Sequence, residues 1–255
     1  MTASEAARRI LAANQRGDEI VSVLCLRNAQ RILISSDDVR SGSLGSPELD
    51  DAAADIARSA FVERAPVLTD ELFAELHVPV ETLLIFGAGH IAVPLAEIGV
   101  KLGFAVTVLD DRDEFATEAR FPAEADVRVL DYDQPLRDVT IDRNSYIVLV
   151  TRAHKYDFDC LREVLTLETQ PRYIGMIGSR RRVRAAFTAL LDGGIPREKL
   201  ETVHAPVGID IGAETPAEIA VSIAAELIRV RRGGSEVTLS EQERVAERFF
   251  AEPLT

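Results

Sequence analysis

The residues with the clearest chemical potential lie in Gly87-Ala88-Gly89-His90-Ile91-Ala92, at the end of the apolar run Leu83-Leu84-Ile85-Phe86. The spacing fits G-x-G-x-x-G/A. In that pattern the first glycine permits a tight turn, and the second lets a phosphate approach the backbone. The small last residue allows close packing of helix on strand. A helix opening there offers free N–H groups and partial positive charge to an anion. A second apolar run, Phe104 to Leu109, ends at Asp110, 21 residues after Gly89. That lies close to the roughly 20 residues expected of an acidic residue that holds a ribose hydroxyl.

Three further polar clusters also follow predicted strands. Asp110-Asp111-Arg112 follows the second strand of this part, Thr151-Arg152-Ala153-His154-Lys155 the fourth, and Gly178-Ser179-Arg180-Arg181-Arg182 the fifth. In a parallel sheet those ends share one edge, the edge at which open α/β sheets bind ligands. A basic rim there, with Arg112, Arg152, His154, Lys155 and Arg180 to Arg182, points to an anionic ligand. His90 and His154 fall on either side of the switch point. They can serve a proton, a phosphate or a metal, or simply bond their own loops. No Cys spacing accompanies them, so a protein-only metal site is not expected. The stretch Ala205 to Ala213, with Asp210, leads into a helix start at Thr215. It is either a second ligand contact or a structural loop over the sheet edge.

These clusters require an α/β fold. We expect a Rossmann-like, doubly wound parallel sheet preceded by a small α+β N-terminal domain. The boundaries are 1–79 for the small domain, 80–235 for the Rossmann-like domain, and 236–255 for a tail with a short helix near Ser240 to Phe250. Unbroken apolar strands such as Leu83 to Phe86 and Ser145 to Val150 suit a sheet covered on both faces. The small domain reads as a helix over Ser4 to Gln15 and a hairpin of Glu19–Leu26 with Arg31–Ser35. A helix over Glu48 to Glu63, a short strand at Ala65–Thr69 and a helical turn at Glu71–Leu76 follow. Ser179 is placed to cap one helix. Thr215-Pro216-Ala217-Glu218 reads as a capping box for another.

The chain has 255 residues, 47% of them hydrophobic, and a formal net charge of −13. Such an acidic chain suits neither a nucleic-acid backbone nor an anionic membrane surface. Cys25 and Cys160 lie in apolar surroundings and read as buried thiols. The opening is polar, and no apolar run reaches bilayer-spanning length, so a soluble cytoplasmic protein is expected.

Four stretches in this order resemble the xanthine dehydrogenase accessory factor family (XdhC/CoxI). They are Phe86 to His90, Thr151 to Asp157, Tyr173 to Arg182 and Pro206 to Ala220, and the resemblance covers Leu83 to about Arg232. Gly42-Ser43-Leu44-Gly45-Ser46-Pro47-Glu48-Leu49-Asp50 is similar to the family's small domain. The resemblance implies a factor that binds molybdenum cofactor (molybdopterin). Such a factor assists sulfuration or insertion of the cofactor into an apo molybdenum hydroxylase of xanthine dehydrogenase type. It implies a cysteine desulfurase as a further partner and pairing as a homodimer. Members carry a Gly-rich motif ending in a cysteine. Here Ser46 and Pro47 replace its later glycines and Glu48 replaces the cysteine, which removes a thiolate contact to molybdenum. The residues expected to hold the cofactor are Gly87, Gly89, His90, Asp110, Arg112, Thr151, His154, Gly178, Ser179, Arg180 and Asp210. Two other readings remain open: an NAD(P)-dependent oxidoreductase with Asp110 on the ribose, and a nucleotide-binding scaffold without catalysis.

Overall fold

A computed structural model describes residues 1–152, 154–235 and 237. The expected short helix near Ser240 to Phe250, and nearly all of the expected tail, lie outside the described residues.

The N-terminal part comprises α1 (Ala3–Arg16), β1 (Ile20–Cys25), β2 (Arg31–Ser35), β3 (Arg40–Gly42), α2 (Pro47–Glu63), β4 (Val67–Leu68) and β5 (Leu72–His77). Its five strands form an antiparallel sheet in the order β3-β2-β1-β5-β4. Val21 and Val23 pair across from Ile34 and Ile32, and all four belong to the core beneath α2. α2 meets them with Ala53, Ala54, Ala57 and Ala60, small side chains that let helix and sheet approach closely. The Ser46 hydroxyl caps α2 by accepting from the Leu49 N–H. α1 is capped by Thr2, whose hydroxyl accepts from the Glu5 N–H. The expected helical turn at Glu71–Leu76 is instead β5. Leu72 and Ala74 are buried while Glu75 is exposed, a period of two, and pairing with β1 fixes the extended form.

The second part contains β6 (Thr82–Phe86), α3 (Ala92–Lys101), β7 (Ala105–Asp110), β8 (Asp126–Val129), β9 (Ser145–Leu149), α4 (His154–Thr166), β10 (Tyr173–Met176), α5 (Arg180–Asp192), α6 (Arg197–Leu200), β11 (Val203–His204) and α7 (Pro216–Arg232). All pairs in its six-stranded sheet are parallel, in the order β11-β10-β9-β6-β7-β8. This is the doubly wound order of dinucleotide-binding folds, and it reverses direction between β6 and β9. Leu83 and Ile85 face one core with α3 and α7; Leu84 and Phe86 face the other with α4 and α5. Burial on both faces explains why β6 shows no apolar–polar alternation. Gly99 of α3 fits against the sheet because a Cβ there would lie 2.8 Å from a Leu83 methyl.

Candidate functional site

The crevice at the carboxyl ends of β6 and β9 is the switch point at which such sheets take ligands. Gly87 leaves β6 with φ of 106°, and a Cβ on it would sit 2.5 Å from the Val150 carbonyl oxygen. Only glycine lets the turn pass so close to the end of β9. Around Gly89 no atom of the described residues lies within 4 Å of an added Cβ. α3 begins at Ala92 without a side-chain cap. Among the described residues the N–H groups of Gly89, His90 and Ile91 have no acceptor. Unsatisfied donors at an uncapped helix start are chemically suited to receive an anion.

Asp110 stands beneath this turn, but its carboxylate is already filled. One oxygen accepts from the Ala88 N–H at 2.7 Å and Arg112 Nη2 at 2.9 Å. The other accepts from the Arg112 N–H at 3.1 Å and Arg112 Nε at 2.9 Å. Two carboxylate oxygens offer about four lone-pair sites, and all four are in use. Burial pushes this carboxyl up, yet the Arg112 guanidinium and the two N–H groups together hold it below the usual carboxylate range. Asp110, expected on a ribose, thus braces the glycine turn. Arg112 is likewise turned inward, stacked 3.6 Å over the Phe115 ring.

Arg120 completes the brace and was not singled out by the sequence. It donates to the carbonyls of Ala88 at 2.9 Å and Phe115 at 2.7 Å, with Phe115 beneath it at 4.8 Å. Its only sequence signal is a basic residue between two phenylalanines, Phe115 and Phe121.

The basic rim is narrower than expected. Arg152 donates to Asp111 at 2.6 Å and lies over the Tyr156 ring, so it is neutralised in place as Arg112 is. Lys155 and Arg180 to Arg182 are exposed, with no ion pair among the described residues. The three arginines crowd the first turn of α5, the positive end of its dipole. Cations there each cost about 0.3–1 kcal/mol, which an anion at the rim would relieve. Ser179 caps α5 as expected, accepting from the Arg182 N–H, and Gly178 precedes it. Between α4 and α5 opens a cavity of about 610 Å³, floored by Met176, Ile177 and Phe158 and rimmed by Lys155, Ser179, Arg181 and Arg182. Thr151 donates its hydroxyl to the buried Asp157 at 2.7 Å and so fixes the loop after β9. His90 is exposed beside the glycine turn. His154 opens α4, and its side chain lies outside what the structure describes.

The start of α7 is not a second anion contact. The Glu218 carboxylate accepts the N–H groups of Glu214 and Thr215, each at 2.9 Å, and the capping box is complete. Asp210 is exposed and accepts from the Gly212 N–H. The loop that carries it is held from below by Glu226 of α7. That buried carboxylate accepts from the Tyr173 hydroxyl at 2.6 Å and the Gly208 N–H at 2.8 Å, and bonds His204 Nδ1 at 3.0 Å. Burial alone would raise the Glu226 pKa; the bonds from His204, Tyr173 and Gly208 outweigh it and hold the value down to about 2.

No group of three or more His, Cys, Asp or Glu side chains suited to a metal occurs among the described residues. Cys25 and Cys160 are free and buried, and burial pushes the Cys160 thiol up. Glu48 lies exposed in the first turn of α2. Its own N–H and the Ser46 hydroxyl hold its carboxyl below the usual range.

The XdhC Rossmann domain family model matches residues 83–227. The chain belongs to the XdhC family. It is 32% identical over 164 residues to a probable xanthine dehydrogenase subunit of Bacillus subtilis, covering 64% of this chain and 47% of that protein. It is 25% identical over 225 residues to the uncharacterized protein YqeB of Escherichia coli, covering 80% of this chain and 41% of that one. The chain thus spans somewhat under half the length of these relatives. A crystal structure titled xanthine dehydrogenase, from Bacillus halodurans, superposes with a TM-score of 0.62 at 26% identity. The match covers 92% of this chain and 67% of that one. Within this XdhC member the family match spans the whole switch-point crevice, from β6 to α7.

Proposed function

We propose that this XdhC-family chain binds molybdenum cofactor as cargo and assists its sulfuration or its insertion into a xanthine dehydrogenase-type molybdenum hydroxylase. One observation carries the reading: the N–H groups of Gly89, His90 and Ile91 have no acceptor among the described residues and stand at the switch point, where a Cβ added at Gly89 meets no described atom within 4 Å. They suit the phosphate of a phosphorylated pterin. Lys155 and Arg180 to Arg182 add neutralising charge. The recess over Met176, Ile177 and Phe158 suits a flat ring. The metal end of the cargo finds no thiolate here, because both cysteines are buried and Glu48 stands in the small domain. In this role the chain holds the pterin phosphate and leaves the molybdenum to the client apoenzyme or a cysteine desulfurase. A second copy of the chain is a further partner in this reading. The oxidoreductase reading loses its ribose anchor, since Asp110 has no free lone pair.

The test compares melting temperatures with molybdopterin and with NAD. A ligand at a hundredfold excess over its Kd stabilises by about 2.7 kcal/mol, a readily measured shift. A rise with molybdopterin alone, absent in Gly89→Val, is the expected result. A rise with NAD alone would reinstate the oxidoreductase, and no rise with either would leave a scaffold.

A further inference from the structure

A second cavity, of about 750 Å³, opens at the opposite edge of the parallel sheet. Glu81, Asn144 and Arg172 line it, and they immediately precede β6, β9 and β10, so it lies at the amino ends of the strands. Its other wall is Arg64, the residue that ends α2, with the turn after α1. Four arginines converge there: Arg64, Arg172, Arg231 and Arg232.

Two of the four are committed to carboxylates. Arg64 makes a paired contact with both Glu19 oxygens, at 3.2 and 2.8 Å. Arg231 lies 2.6 Å from Glu81, donates to the Leu102 carbonyl and stacks on Phe104. Arg172 and Arg232 are exposed, and neither has an ion pair among the described residues. Arg172 gives one Nη2 hydrogen to the Arg231 carbonyl at 3.3 Å, which orients it and leaves its charge uncancelled. Asn144 is 6% exposed, and its Nδ2 has no acceptor among the described residues. Two guanidinium groups with no ion pair among the described residues line one polar cavity on a chain of net charge −13, and the remaining lining carboxylate, Asp18, is paired with Arg16. Guanidinium forks match carboxylate and phosphate oxygens in paired geometry, and the volume is that of a small-metabolite site.

We propose that this cavity binds a small organic oxyanion, a phosphate ester or a polycarboxylate, held by Arg172 and Arg232. Because Arg64 and the turn after α1 form one wall and the parallel sheet the other, the anion ties the small antiparallel part to the edge of the large sheet. The site is separate from the glycine turn and does not depend on the cofactor reading.

The experiment uses the full chain with AMP as the phosphate-ester probe and citrate as the polycarboxylate probe, at matched ionic strength. Melting temperature is followed in wild type, in Gly89→Val and in the double variant Arg172→Ala/Arg232→Ala. Both arginines are exposed, so the double variant should melt within a few degrees of wild type without ligand. We expect at least one probe to raise the melting temperature of wild type and Gly89→Val equally, and to leave the double variant unmoved. AMP alone identifies a phosphate ester, citrate alone a polycarboxylate, and both a general oxyanion site. No rise at millimolar probe overturns the proposal. So does an equal rise in the double variant, or a rise that disappears in Gly89→Val.

Discussion

Gly87 and Gly89 are two residues apart and should respond to substitution in opposite ways. In Gly87→Ala the new Cβ lies 2.5 Å from the Val150 carbonyl oxygen and 2.8 Å from its carbonyl carbon, both backbone atoms of the neighbouring loop. The backbone also keeps φ near 106°, which an L side chain tolerates poorly. Strain of that kind costs about 1–3 kcal/mol, and forcing apart packed groups about 1–3 kcal/mol more. Together they amount to about 2–6 kcal/mol, a large share of the roughly 5–15 kcal/mol typical of a domain. A Cβ added at Gly89 meets no atom of the described residues within 4 Å and needs no left-handed backbone, so the stability of Gly89→Val should stay within about 1 kcal/mol of wild type. The branched side chain nevertheless fills the space beside the free N–H groups. Urea unfolding followed by circular dichroism gives the stabilities, since the chain has no Trp to report by fluorescence. Melting shifts with molybdopterin give the binding. Gly89→Val should fold like wild type and lose the shift. The reasoning fails if Gly87→Ala is as stable as wild type, or if Gly89→Val keeps full affinity.

Two other outcomes can be measured. Glu226 has its pKa depressed to about 2 in the fold, so it contributes stability above the ordinary carboxylate range and loses it as pH falls from about 4.5 towards 2. That displacement corresponds to about 3 kcal/mol. Urea midpoints at pH 6 and pH 3 should show Glu226→Gln destabilised at pH 6 and much less sensitive to acid than wild type; parallel pH dependences would remove the carboxylate from this role. Asp110→Asn leaves Arg112 without its counter-charge and places an amide NH₂ among donors. It should lower stability by about 2–4 kcal/mol and also weaken ligand binding by loosening Ala88; unchanged hydrogen exchange at the Ala88 amide would argue against the brace.

The order of elements around the crevice was legible because local signals there are strong and repeated. Non-alternating β6 and β9, the G-x-G turn, the Ser179 cap and the Thr215–Glu218 box are each fixed by neighbours in sequence, and the structure keeps all of them. β5 was misread because six residues carry little periodicity and its strand form depends on β1, far away in the chain. The acidic residue that ends β7 was found by spacing alone. Spacing gives no account of which groups already occupy its oxygens.

Residue types and order determined the parallel sheet, the glycine turn at its switch point and the family, since these follow from patterns a few residues long. The tertiary structure decided which charges are free. Asp110 with Arg112 and Asp111 with Arg152 are neutralised by partners that composition cannot assign, because a charge is cancelled by proximity in space. Only the fold brought Arg64 next to Arg172 and Arg232, 108 or more residues away along the chain.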